Sequence, residues 1–312
     1  MRLLKTPTRY HDLRNDEPRD SLCPGRLSLL GPIAAFLEST PRAAPLEILA
    51  HRVVWSVLFL LALLTVRRQW QWIRQVSRDR RVLLTFAATS VLLSVNWLTY
   101  IWAVNAGYVL ESSLGYFINP LVNVVLGVVI LGERMRWGQW AAVTLAAAGV
   151  IYLTVTLGTV PWIALTLALT FSVYALVRKT ASLNSLEGLM VETAFMLIPA
   201  LGYLFYLEWQ GRGTFGHLAI THSVLLFATG VVTALPLLLL LPVLTHSRFP
   251  DRPAQYTSPT IQFLLAIFLY HEPFSTTRLA GFVLIWTALA VYSGESLWQR
   301  RQLNTLEPVK AG

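Results

Sequence analysis

Charge is scarce in this 312-residue chain. Asp, Glu, Lys and Arg make up 13% of it, against 55% hydrophobic residues. Soluble domains carry about 25% charged residues, so this composition argues against a soluble fold. Cysteine is nearly absent. Cys23 stands alone, which excludes an intrachain disulfide and a cysteine-based metal site. No Gly-x-Ser-x-Gly nucleophile turn and no phosphate-binding glycine loop is present. The histidines of His217-Leu-Ala-Ile-Thr-His222 are five apart, not the four that put two metal ligands on one helical face. An enzyme is therefore disfavoured, and no cofactor or metal is expected. The opening segment 1–26 mixes both charge signs and lacks an apolar run, so no cleavable signal is read there.

Long uncharged runs fill the rest. No charge occurs over 82–110, 112–132 or 137–177. About 20 apolar residues cross a bilayer as a helix, and the last run is twice that, with a Leu-Gly-Thr-Val-Pro turn at 157–161. Spans are expected near 46–66, 82–105, 108–131, 140–157, 160–177, 189–207, 224–244, 259–270 and 279–297, with a weak one near 27–37. The class is an all-α integral membrane protein interacting with the lipid bilayer.

The net charge of +9 does not point to nucleic acid, because the cations lie between spans. The loop 67–81 holds six Arg and one Asp, so it is expected in the cytoplasm. Alternation then puts Arg134, Arg136, Arg178, Lys179, Arg248, Arg252, Arg300 and Arg301 inside as well. Outer loops 106–107 and 157–160 carry no charge.

One segment occurs twice. Asn-Pro-Leu-Val-Asn-Val-Val-Leu-Gly-Val-Val-Ile-Leu-Gly-Glu (119–133) returns as Ser-Pro-Thr-Ile-Gln-Phe-Leu-Leu-Ala-Ile-Phe-Leu-Tyr-His-Glu (258–272). Pro120 falls on Pro259, Asn123 on Gln262 and Glu133 on Glu272. Five spans per half is odd, so the second half enters from the opposite side. Expected are two inverted five-helix repeats, 27–157 and 160–298, between a cytoplasmic segment 1–26 and a cytoplasmic tail 299–312. In such transporters the substrate site lies between the halves near the midplane.

His51-Arg52-Val-Val-Trp-Ser56, Asn96-Trp-Leu-Thr-Tyr-Ile-Trp-Ala-Val-Asn105 and Glu111-Ser-Ser-Leu-Gly-Tyr-Phe-Ile-Asn-Pro-Leu121 resemble the RarD-type permeases. These form part of the EamA family in the drug/metabolite transporter superfamily. Leu176-Val-Arg-Lys179 fits too. The resemblance implies ten helices, both termini in the cytoplasm, a bacterial inner membrane location and transport of a small organic molecule, with members often labelled by chloramphenicol sensitivity. Two stretches depart from it. Residues 27–37 are short and interrupted by Pro32, where the family opens with a full helix. Residues 246–257 carry Arg248, Asp251 and Arg252, each costing about 2.5–3.5 kcal/mol at the bilayer centre. Reading-frame damage is one account of both stretches. An impaired permease without transport is then the alternative to a working one, and the ninth span is expected to start late and be short.

Polar residues inside spans are the candidate site. Asn96, Asn105, Asn119 and Asn123 either line a substrate path or join helices. Pro120 and Pro259 are expected to kink equivalent helices. Arg52 with Glu111 is expected as a charge pair or gate, with His51 able to titrate near neutral pH. Trp97, Tyr100 and Tyr116 belong to a dense aromatic set with Trp102 and Tyr108, as stacking surfaces or interface anchors. Glu133 and Glu272 are expected to fix loops beside Arg134, Arg136 or Arg278. Glu192 is read either as a proton relay or as a partner of Arg178 or Lys179. A coupling ion or proton remains open, as does the oligomeric state.

Overall fold

A computed structural model describes residues 43–306, less 69, 71, 74, 75, 77, 78, 133, 182 and 247–253. Among these residues the fold is all-helical: α1 (Pro45–Arg67), α2 (Arg80–Asn105), α3 (Val109–Leu131), α4 (Trp137–Leu157), α5 (Trp162–Thr180), α6 (Ser185–Trp209), α7 (Ile220–His246), α8 (Ala254–Phe268) and α9 (Thr276–Leu306). Each matches one expected span. Seven are long and apolar enough to cross a membrane; Ile220–Leu235 and Ser258–Phe268 are shorter apolar helices. The weak segment 27–37 lies outside the described residues, as does 247–253. Helix α8 begins at Ala254, ahead of the expected start at 259, yet has only 15 residues.

Local chemistry sets the ends. Asp79 caps α2 by accepting from the Arg81 N–H at 2.9 Å. Asn184 and Glu187 form a capping box at the start of α6. Helix α3 stops at Gly132, whose φ is +68°, a left-handed conformation that ends helices readily. The repeat carries this stop with it. His271, the counterpart of Gly132 in the second copy, also turns left-handed at φ +51°, and the Glu272 N–H returns to the Ala266 carbonyl at 3.0 Å.

Glycines let the helices approach closely. A Cβ on Gly230 of α7 would meet Trp55 Cβ at 2.5 Å and Ser56 N at 2.7 Å on α1. Ser56 Oγ uses that approach to donate to the Gly230 carbonyl at 2.9 Å. A Cβ on Gly115 of α3 would likewise lie only 2.8 Å from the Ala164 carbonyl oxygen of α5. Gly149 and Gly281 do this between α4 and α9. The largest buried apolar cluster joins α2, α3, α4, α5, α8 and α9, and includes Tyr100, Phe117, Ile163, Phe263, Phe282 and Tyr292. A second joins α1, α2, α5, α6 and α7 around Leu60, Leu93, Trp97, Tyr174 and Leu189.

Candidate functional site

Arg52, only 2% exposed, lies two turns into α1. A guanidinium cannot shed its charge, so burying it demands compensating groups. Its Cζ stands 5.4 Å from the ring centroid of Trp97 on α2, within range of a cation–π attraction. Tyr100, one turn along α2, and Tyr116 of α3 also act on its charge. The two tyrosine rings meet edge to face, 5.9 Å between centroids. Gln262 of α8, buried at 4% exposure, donates from Nε2 to Tyr100 Oη at 3.3 Å. Arg52, Trp97, Tyr100, Tyr116 and Gln262 thus form one cluster drawn from four helices.

The other candidates divide. Asn96 Nδ2 donates to the Leu167 carbonyl at 3.1 Å and to Thr170 Oγ1 at 2.9 Å. Asn119 Oδ1 accepts from Ser172 Oγ at 2.5 Å. Both amides therefore tie α5 to its neighbours. Asn105 is exposed and bonds its own helix at the Ile101 carbonyl; Asn123 is exposed as well. Neither belongs to the cluster. Pro120 lies inside α3 and Pro259 inside α8. His51 turns from Arg52 to stack on Phe215, 4.8 Å between centroids. Trp102 is exposed and stacks with Tyr108, with Trp162 beside it, which suits an interface anchor.

The expected Arg52–Glu111 pair is not formed. Glu111 accepts instead from the Ile163 N–H at the start of α5, at 2.9 Å. Helix starts present unpaired N–H groups and the positive end of the dipole, which draws the carboxylate away from the guanidinium. Glu272 behaves alike. Its hydrogen-bond partners are the first N–H groups of α3, at Val109 and, at 3.0 Å, Leu110, and the expected Arg278 stands beside the same loop, its charge acting on Glu272 and its Nη1 donating to the Pro273 carbonyl at 3.0 Å. Burial pushes its carboxyl above the ordinary carboxylate value, while these two N–H bonds act in the opposite direction. A third case escaped the sequence reading: Glu47 of α1 accepts from Thr214, both N–H at 2.7 Å and hydroxyl at 2.8 Å. Three carboxylates thus latch one end of the bundle, joining α1 to the α6–α7 loop, α3 to α5, and the α8–α9 loop to α3. Glu133 lies outside the described residues.

Glu192 is fully buried and pairs with Arg178, Oε1 to Nε 3.7 Å. Tyr174 Oη donates to its Oε2 at 3.0 Å. A signal for this site stood in the sequence unread. Pro45-Leu-Glu-Ile-Leu49 returns in the second half as Ser185-Leu-Glu-Gly-Leu189, and on that register Arg52 falls on Glu192.

Two grooves open elsewhere. One of about 410 Å³ is lined by Phe117, Thr260, Phe263, Leu264, Trp286 and Leu289. The other, about 450 Å³, lies among Pro45, Leu46, Leu98, Trp102 and Trp162. Neither is lined by a charged side chain, unlike the Arg52 cluster and the Arg178–Glu192 pair.

Membrane-length helices packed around a buried guanidinium, aromatic and amide cluster define a multi-pass membrane protein of the transporter class. The EamA-like transporter family model matches residues 30–155, beginning inside the weak 27–37 segment. Protein RarD of Streptomyces exfoliatus is 42% identical over 285 residues, covering 89% of each chain. The chloramphenicol-sensitive protein RarD of Pseudomonas aeruginosa is 30% identical over 281 residues, 88% of this chain and 89% of its own. A crystal structure at 17% identity superposes with a TM-score of 0.55 over 86% of this chain and 97% of its own, which speaks to the fold alone. The chain belongs to the RarD-type permeases of the EamA-like transporter family.

Proposed function

We propose that this protein is a secondary carrier of the bacterial inner membrane. It moves a small organic molecule by alternating access between two inverted five-helix halves, 27–157 and 160–298, with both termini in the cytoplasm. An ion or substrate gradient drives it. The observation that carries this reading is the Gln262–Tyr100 hydrogen bond. It brings the repeated helix of the second half onto the guanidinium and aromatic cluster of the first, between the halves, where inverted-repeat carriers hold substrate. The shared left-handed stop at Gly132 and His271 supports two copies of one unit.

Arg52, Tyr100, Tyr116 and Gln262 offer a cation, two hydroxyls and an amide to a polar solute, and Trp97 offers a ring face. The arginine-rich loop 67–81 supports a cytoplasmic position for the end opposite the three latches. The latched end then faces outward, and this conformation is closed to the outside.

The relative's name makes chloramphenicol the first solute to try. Cells expressing the wild-type chain should change their chloramphenicol susceptibility. Arg52→Ala, inserted at equal abundance, should return them to the level of cells without the protein. Unchanged susceptibility with wild type, together with no flux of a panel of organic solutes in vesicles, favours the remnant reading instead.

A further inference from the structure

Arg178 reaches Glu192 by passing over Gly188, where a Cβ would collide with its guanidinium. The glycine is a berth for that group. Phe86 of α2 lies under it, 5.1 Å from Cζ to the ring centroid, and Nη2 donates to the Asn184 carbonyl at 3.3 Å. Asn184 is exposed at the inner end of α6, so the guanidinium connects a fully buried carboxylate to the inner surface. The groups facing Glu192 are Arg178 and Tyr174 from α5 and Thr89 from α2.

This ion pair is built loosely. Glu192 Oε1 and Arg178 Nε, 3.7 Å apart, have no hydrogen-bond partner, nor has Arg178 Nη1. A buried pair serving stability alone needs tight geometry and satisfied donors to offset desolvation. This one leaves an acceptor lone pair open beside a cation that can leave.

Its position matters equally. Arg52 and Glu192 lie equally deep in their helices, 45 to 52 and 185 to 192, and α1 packs on α6. Both sites use the same face of α2. Phe86 lies under Arg178 and Trp97 under Arg52, about 16 Å apart along the helix. A cation near the outer end and a carboxylate near the inner end therefore occupy equivalent places on one rail.

We propose that Glu192 is a proton-binding site of the carrier, and that its protonation opens the inner end of α5 and α6 by releasing Arg178. A proton from the inner aqueous side adds to Oε1. The carboxylate becomes a neutral acid still bonded to Tyr174, and Arg178, its charge intact, swings past Gly188 toward the surface at Asn184. Loss of the proton draws it back. This rests on the carrier reading for its purpose, but its test needs no substrate.

Amide hydrogen exchange on the full-length protein in detergent or nanodiscs, corrected for the intrinsic pH dependence of exchange, reads the opening directly. In wild type, amides in the first turns of α6 and the last turn of α5 should exchange roughly tenfold faster at mildly acid than at mildly alkaline pH, the equivalent of one or two hydrogen bonds lost. Glu192→Gln, a permanent mimic of the protonated acid, should exchange fast at every pH. Glu192→Asp should keep the transition and move its midpoint. Infrared titration of the wild type should show a carboxylic C=O band following the same transition. If Glu192→Gln does not fold, the wild-type exchange and infrared profiles still decide. Exchange at the inner end independent of pH in wild type, or unchanged pH dependence in Glu192→Gln, overturns the proposal and leaves the carrier reading standing.

Discussion

At the scale of single residues, the side chains that matter are those whose partners lie far along the chain. Glu272 of the α8–α9 loop caps the start of α3, and its carboxyl is raised by burial. A group whose value is raised in the latched state binds its proton more readily there than when exposed. Protonation therefore favours the latch: its stabilising effect is fully present below the ordinary carboxylate value and is lost as pH rises through the raised one. The first turn of α3 should accordingly exchange its amides more slowly as pH falls through that window. Glu272→Gln should flatten this dependence. A pH dependence undiminished in Glu272→Gln would assign it to another group.

Which polar residues matter was half legible. Arg52, Trp97, Tyr100, Tyr116 and Gln262 could be singled out because charge and polarity are costly inside an apolar span. Their grouping, and the absence of Asn105 from it, could not. Asn96 and Asn105 are the same amide on one helix, but the helix turns about two and a half times between them, so they face opposite sides. Asn96 meets α5 and Asn105 is exposed. The Arg52–Glu111 expectation failed for a related reason. Sequence displays side-chain charges, whereas the N–H groups that hold Glu111 and Glu272 belong to backbone and carry no residue signature.

At the scale of elements, the helices were legible because runs without charge coincide with them; α3 starts at Val109 where 108 was expected. The packing between them was less so, since it depends on glycines whose neighbours only the fold reveals. Gly230 against Trp55 and Ser56 brings the backbone of α7 close to that of α1. Gly230→Ala should lower stability by about 1–3 kcal/mol through overpacking and break the Ser56 hydrogen bond, read as a drop in detergent melting temperature. Gly202→Ala, where a Cβ meets nothing within 4 Å, is the control and should leave that temperature nearly unchanged. Equal effects of the two would show that α1 and α7 do not pack as described.

At the scale of the molecule, the sequence repeat and the contact pattern converge. Three of the helix pairs that correspond across the repeat pack on one another: α1 with α6, α3 with α8 and α4 with α9. In the proposed orientation, three carboxylate latches hold the outer end, while the Arg178–Glu192 pair lies at the inner end. The central claim is that these ends open in turn. The most direct measurement is a pair of distance distributions by spin labelling in a Cys23→Ser background, in lipid, across mildly acid to mildly alkaline pH. One label pair sits at Tyr108 and Gln210 for the outer end, the other at Arg134 and Lys179 for the inner. The account predicts two populations in each pair, with the long outer distance rising whenever the long inner distance falls. A single unchanging distance at both ends, or both ends lengthening together, would contradict it.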